Sequence, residues 1–202
     1  MELREALSQI TEIRSQMARA ETFRGYRSAT VGFSGLLALI GATVQSIWIP
    51  QPARHTEAYL GLWIGVAAVG VIVCGSEMAI RARRATSPLT RQITLLAVEQ
   101  FVPCIVAGAL TTFVLVQFAP QTLWMLPGLW SIIFSLGVFA SCRLLPRRTF
   151  WVASWYLVAG VATLALAREE AAFSPWAMAA TFGVGQLTAA VILYAALERN
   201  HE

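Results

Sequence analysis

Two carboxylates stand inside long apolar runs of this chain, Glu77 and Glu99, and they have the clearest capacity for chemistry. An ionisable group surrounded by hydrocarbon needs a partner or water, so each is by default a candidate for ion or proton handling. Glu77 lies four residues before Arg81 at the end of its run, the spacing of an ordinary helix-surface ion pair, and a structural role is the preferred reading. Glu99 lies roughly two turns into its run, and Pro103, four residues on, cannot donate the helical hydrogen bond to its carbonyl. A kink beside a carboxylate would open a polar pocket. The other reading has the helix enter the membrane nearer Phe101, leaving Glu99 among the headgroups; this is preferred, because ion relays draw on several polar groups together.

Gln45, Gln117 and Gln186 place amides inside or near the ends of apolar runs, where bonding across to a neighbouring helix is the usual use. Gln117 and Gln186 join Glu77 and Glu99 as the candidate polar intramembrane site. The cysteines Cys74, Cys104 and Cys142 all fall in apolar runs without disulfide or metal-ligand spacing, and reduced, inert thiols are expected. His55 and His201 lie in a loop and at the tail, so imidazole cannot hold haem or zinc in the apolar part, and no histidine accompanies an apolar-run serine or cysteine. Gly183 and Gly185 resemble a glycine-rich nucleotide loop but lie in mid-run, without a strand-to-helix context. No catalytic residue, metal or cofactor is expected.

The elements that carry these residues are set by composition. The chain has 202 residues, 57% hydrophobic and only 13% charged, against about a quarter charged in a soluble domain. Its apolar residues gather into six blocks: Ala29 to Ile49, Ala58 to Ile80, Gln92 to Phe118 interrupted by Pro103, Leu123 to Leu144 broken near its start by Pro127 and Gly128, Phe150 to Ala167, and Trp176 to Leu197. At roughly 1.5 Å per residue each is of the order needed to cross the hydrocarbon of a bilayer. The runs lack the alternation of barrel strands, which leaves helices. The predicted fold is an all-α membrane bundle of about six transmembrane helices over residues 28–198, with a polar tail at 199–202. Loops are expected at Gln51 to Glu57, Arg81 to Arg91 and Ala119 to Thr122.

All strong bases are arginine. With the N-terminus inside, arginines 4, 14, 19, 24, 27, 81, 83, 84, 91, 143, 147, 148 and 199 fall on the inner side, and only Arg54 and Arg168 outside. That asymmetry predicts both termini in the cytoplasm under the positive-inside rule, and accounts for the net charge of +4 without nucleic acid. Trp48, Tyr59, Trp63, Trp124 and Trp176 are expected at the outer aromatic belt, and Trp151, Trp155 and Tyr194 at the inner one. Gly61, Gly65, Ala68, Gly75 and Ala79 form a stripe of small residues beginning with a GxxxG step, and packing within the bundle is preferred to a dimer seam. No internal match supports an inverted repeat.

Ahead of the first run, Leu3, Leu7, Ile10, Ile13, Met17 and Ala20 recur at helical intervals, with glutamates and arginines on the remaining face. Residues 1–27 therefore read as an amphipathic cytoplasmic or interfacial helix rather than a cleavable signal. Its mixed charge suits packing on the membrane domain or on a partner helix.

The opening LSQITEIRSQMARAETFRGYRSATVGFSGLLALIGA, the hinge RRATSPLTRQ and the closing FGVGQLTAAVILYAALE together resemble a family of small, uncharacterised bacterial membrane proteins of about this length. The resemblance touches most of the chain. It implies a multi-pass protein of the bacterial inner membrane, often encoded beside a winged-helix regulator, and carries no functional residue over.

The expected function is that of a non-enzymatic sensing, scaffolding or accessory membrane protein. Its partners are expected to be the lipid bilayer and, through the N-terminal helix, a protein partner or a second copy. The alternative is a small transporter or channel with a polar site near Glu99, its path lined by Gln117 or Gln186.

Overall fold

The computed structural model describes residues 28–84, 88–142 and 145–198. The amphipathic helix expected over residues 1–27 and the tail 199–202 lie outside the described residues. The first helix, α1, spans Ser28–Trp48, α2 Thr56–Arg84 and α3 Pro88–Phe118. A 3₁₀ turn, Pro120–Met125, leads into α4, Leu126–Ser141; α5 covers Thr149–Leu166, and a second 3₁₀ turn, Glu169–Phe173, follows it. The last helical run, α6, is composite: α-helical over Pro175–Met178, π-helical over Ala179–Val184, α-helical over Gly185–Leu193 and π-helical over Tyr194–Glu198. Six helical segments are long and apolar enough to cross a membrane, and no strand occurs among the described residues.

Prolines sit where their missing N–H costs little. Pro88 and Pro175 open α3 and α6, and Pro127 falls in the first turn of α4, so it starts that helix rather than breaking it. Pro103 is the exception, since α3 runs on through it. The basic loop expected over Arg81 to Arg91 is largely helix: α2 continues to Arg84 and α3 already includes Arg91. The physical reason is length. With 29 and 31 residues, these helices are about 44 and 46 Å long at ~1.5 Å per residue and outrun a hydrocarbon core of about 30 Å. Their arginine-bearing ends continue the helix beyond it.

The helices pack in the lateral order α2, α1, α6, α5, α4, α3, with α2 and α3 in slighter mutual contact. Glycines set the closest approaches. A methyl group built on Gly160 of α5 would stand 2.8 Å from the carbonyl oxygen of Gly128 on α4, and one on Gly128 would stand 2.9 Å from the Gly160 carbonyl. The two backbones therefore cross in contact, as only small residues allow. In α6, Gly183 meets Leu39 of α1 and Gly185 meets the ring of Tyr156 on α5, at 2.7 and 2.5 Å from an added Cβ. Two positions apart, these glycines address opposite neighbours and let α6 sit between them.

The small-residue stripe of α2 does not pack inside the bundle as expected. Nothing lies within 4 Å of a Cβ added at Gly61, Gly65 or Gly75, and Ala68 and Ala79 are exposed. The face that α2 turns inward carries Tyr59, Leu60, Trp63 and Met78 instead. Tyr59 and Trp63 thus leave the outer belt for the interior, whereas Trp48, Trp151 and Trp176 are mostly exposed at helix ends. Bulk explains the inversion: large rings fill the space between α1, α2 and the α5–α6 loop, and the small residues are left outside.

Gly160→Val is expected to destabilise the bundle by about 1–3 kcal/mol, the cost of overpacking a filled contact. Gly61→Val should leave stability within about 0.5 kcal/mol. Unfolding midpoints of the purified variants in mixed micelles test the contrast; equal effects would contradict the packing described.

Candidate functional site

Polar side chains bond α1 to α2 toward both ends of the pair. Toward the α1–α2 loop, Gln45 of α1 is completely buried. Its Nε2 donates to the carbonyl of Phe173 at 2.6 Å, and its Oε1 accepts from the indole N–H of Trp63 at 2.8 Å. A buried amide in a low dielectric is stable only with both ends paired, and here one residue ties α1 to α2 and to the turn before α6. Tyr59, one turn before Trp63, stacks edge-on against Phe173 with ring centroids 4.9 Å apart. Its hydroxyl is buried with no hydrogen-bond partner among the described residues. Glu169, with φ of 52°, makes the left-handed step that turns the chain back after α5. Phe173 follows at the end of that turn.

Toward the other end, Thr30 of α1 donates its hydroxyl proton to the Glu77 carboxylate on α2. Glu77 is half-buried, and this bond ties α2 to α1. The pairing expected with Arg81 falls on a side chain outside the described residues.

Glu99 is exposed, in the first turn of the stretch Val98–Phe118 that can cross the membrane, and Pro103 beside it is exposed as well. Gln117 is exposed near the opposite end of the same helix, roughly 27 Å away along the axis. Gln186 is half-buried on α6, its Cβ 3.1 Å from the position of a Cβ on Gly35 of α1. Glu77, Glu99, Gln117 and Gln186 are therefore on three helices and are not brought to one place. Cys74, Cys104 and Cys142 are free thiols, and among the described residues no three His, Cys, Asp or Glu side chains come together to hold a metal.

Sequence reasoning missed the donors. Trp63 gives its N–H to Gln45, Trp130 of α4 to the Thr112 hydroxyl of α3 at 2.8 Å, and Trp155 of α5 to the Thr181 carbonyl in the π segment of α6 at 3.3 Å. It also missed Tyr156, completely buried beneath Phe134 and Phe182 with its hydroxyl unpartnered among the described residues, and Gln100, whose Oε1 is likewise buried and unpartnered. The available signal was that Trp63, Trp130 and Trp155 lie more than a turn inside their runs, where an indole buried in hydrocarbon needs an acceptor.

Six apolar helices crossing in alternate directions define a polytopic α-helical membrane protein. No known protein family, curated protein or solved structure matches the chain.

Gln45→Leu leaves the Trp63 N–H and Phe173 carbonyl buried without a partner and is expected to cost about 1–3 kcal/mol. Trp63→Phe in the same chain should recover part of that loss, with a coupling of about 0.6–1.7 kcal/mol between the positions. A double-mutant cycle by denaturation in mixed micelles measures it; strict additivity would show that the bond contributes nothing.

Proposed function

We propose that this chain is a non-enzymatic multi-pass protein of the bacterial inner membrane that senses, scaffolds or assists partners through a cytoplasmic N-terminal helix. The observation that carries the reading is how the polar groups of the spans are used. Gln45, Trp63, Thr30, Glu77, Thr112 and Trp130 hold helices to one another. The serine and threonine hydroxyls bonded at Ser131, Ser141, Thr163 and Thr181 turn back onto carbonyls of their own helices. A transport path draws on convergent polar groups, and Glu99, Gln117 and Gln186 lie apart. Such a domain suits an anchor and platform, with the activity residing in what it brings together.

The arginine asymmetry supports cytoplasmic termini, and so places residues 1–27 where a cytoplasmic partner or a second copy could reach them. The mixed charge and helical apolar stripe of that segment suit a helix-to-helix contact.

Deleting residues 1–23 is expected to abolish co-purification of partners, or self-association, while insertion and the unfolding midpoint of the membrane domain stay unchanged. Unchanged partners in the truncated chain would remove the reading. In proteoliposomes the intact protein should give no ion or solute flux above that of empty vesicles. Flux that disappears in Glu99→Gln would establish the transporter alternative instead.

A further inference from the structure

We propose that the arginine-bearing end of α5, with Arg147, Arg148 and Trp151 at its head, is a docking site for one anionic glycerophospholipid of the adjoining leaflet. The two ends of the bundle differ in charge. One presents exposed Arg83, Arg84, Arg91, Arg147 and Arg148; the other offsets exposed Arg54 and Arg168 with exposed Glu57, Glu169 and Glu170. In the arginine-bearing half Glu77 and Glu99 stand on α2 and α3, and Glu198, whose side chain lies outside the described residues, closes α6; the main neighbours of α5 are α4 and α6. Neither Arg147 nor Arg148 forms an ion pair among the described residues.

What singles out α5 among these ends is the surface below its arginines. Thr149, Phe150 and Trp151 close their backbone N–H groups onto the carbonyls of Pro146, Arg147 and Arg148, at 2.8, 3.2 and 3.1 Å. Those N–H groups are committed to the turn, so recognition falls to the side chains. The turn fixes both arginines one helical step from Trp151, at spacings of four and three residues, on one outward face. Trp151 is 73% exposed, and Trp155 and Val158 continue the same face toward the bilayer centre, also exposed. Phe150 is held edge-on between Phe139 of α4 and Trp151, with centroids 5.3 and 6.0 Å away, so the aromatic ledge is set before any ligand arrives. By contrast α2 and α3 carry no aromatic ring within a turn of Arg83, Arg84 or Arg91.

From Arg148 to Val158 the helix rises roughly 15 Å, about half the hydrocarbon thickness and so the depth of one leaflet. The face therefore runs guanidinium, indole, aliphatic, the order in which a phospholipid presents phosphodiester, ester linkage and acyl chain. Guanidinium meets a phosphodiester with paired, charge-assisted hydrogen bonds, and an exposed indole lies naturally at the ester level. Two exposed arginines that form no ion pair among the described residues favour a headgroup of net negative charge, because a choline or ethanolamine ammonium would face them unmatched.

The full chain in detergent is titrated with phosphatidylglycerol and with phosphatidylcholine of the same acyl chains, reading retained lipid by native mass spectrometry and the thermal midpoint in parallel. Phosphatidylglycerol is expected to be retained and to raise the midpoint, and phosphatidylcholine is not. Arg147→Gln with Arg148→Gln should weaken retention by about tenfold or more while the lipid-free midpoint is unchanged. Arg83→Gln with Arg84→Gln, an equal loss of charge, should leave retention intact. Trp151→Ala, with both arginines present, should also weaken it. Equal retention of the two lipids, equal losses in the two arginine pairs, or no effect of Trp151→Ala would overturn the proposal. Full competition by sn-glycerol 3-phosphate would assign the site to a soluble phosphate ester and overturn it equally.

Discussion

A peptide N–H or C=O left unpaired in hydrocarbon costs several kcal/mol, and a chain crossing the bilayer escapes that cost by closing its hydrogen bonds within each crossing. The same requirement reaches the side chains. Ser131 and Ser141 of α4, Thr163 of α5 and Thr181 of α6 each bond the carbonyl four residues back. These hydroxyl protons are satisfied within their own helices and need no partner from outside. Three prolines obey the same rule, opening α3 and α6 and falling in the first turn of α4, with Pro103 inside α3 as the exception.

Once each crossing is closed, lipid offers helices little hydrophobic reason to associate, and shape and polar bonds must hold them together. Three of the sequential helix pairs have a tryptophan clasp: Trp63 to Gln45 for α1–α2, Trp130 to Thr112 for α3–α4, and Trp155 to Thr181 for α5–α6. Between the pairs, α6 meets α1 where Gly183 admits Leu39, and α4 meets α5 at Gly128 and Gly160; within the last pair Gly185 of α6 admits Tyr156 of α5. The π-helical turn over Ala179–Val184 lies where these contacts meet, and the Trp155 indole donates to its Thr181 carbonyl. A widened turn exposes a carbonyl to such a donor more readily than a regular α-helix does.

The existence and approximate limits of all six spans were legible in the sequence, because their signal is composition summed over about twenty residues. Helix ends were less so. The arginines at 81, 83, 84 and 91 mark where water begins, not where the helix stops, and α2 and α3 run past that mark. Facing was the least legible. Tyr59 and Trp63 have the residue types of an interfacial belt yet are buried, and the Gly61–Gly65 step has the form of a packing seam yet looks outward. In a soluble helix, polarity separates the buried face from the exposed one; in lipid both faces are apolar, and that cue is lost. Gln45 was legible as helix-bonding glue because an amide in hydrocarbon must be paired, but its partner Phe173 is 128 residues away and could not be read from spacing.

Close packing and polar bonding divide the work of holding this bundle. The α4–α5 pair has the tightest backbone approach, at Gly128 and Gly160, and no side-chain hydrogen bond joins its two helices among the described residues. In the α1–α2 pair Gly61, Gly65 and Gly75 of α2 face outward, and side-chain bonds among the described residues, Gln45 with Trp63 and Thr30 with Glu77, join the helices. On α3, where no described residue from Val98 to Phe118 is fully buried, the bond between Thr112 and Trp130 adds to the contacts of Phe101 with Phe134 and Cys104 with Gly137. Dispersion contacts need area, and α2 and α3 offer little of it, so polar bonds supply what packing does not. The carboxylate of Glu77 fits that scheme. It bonds α2 to α1 at a level where packing is thin: an added Cβ at Gly70 meets only Ser34, at 3.8 Å, and at Gly75 nothing lies within reach.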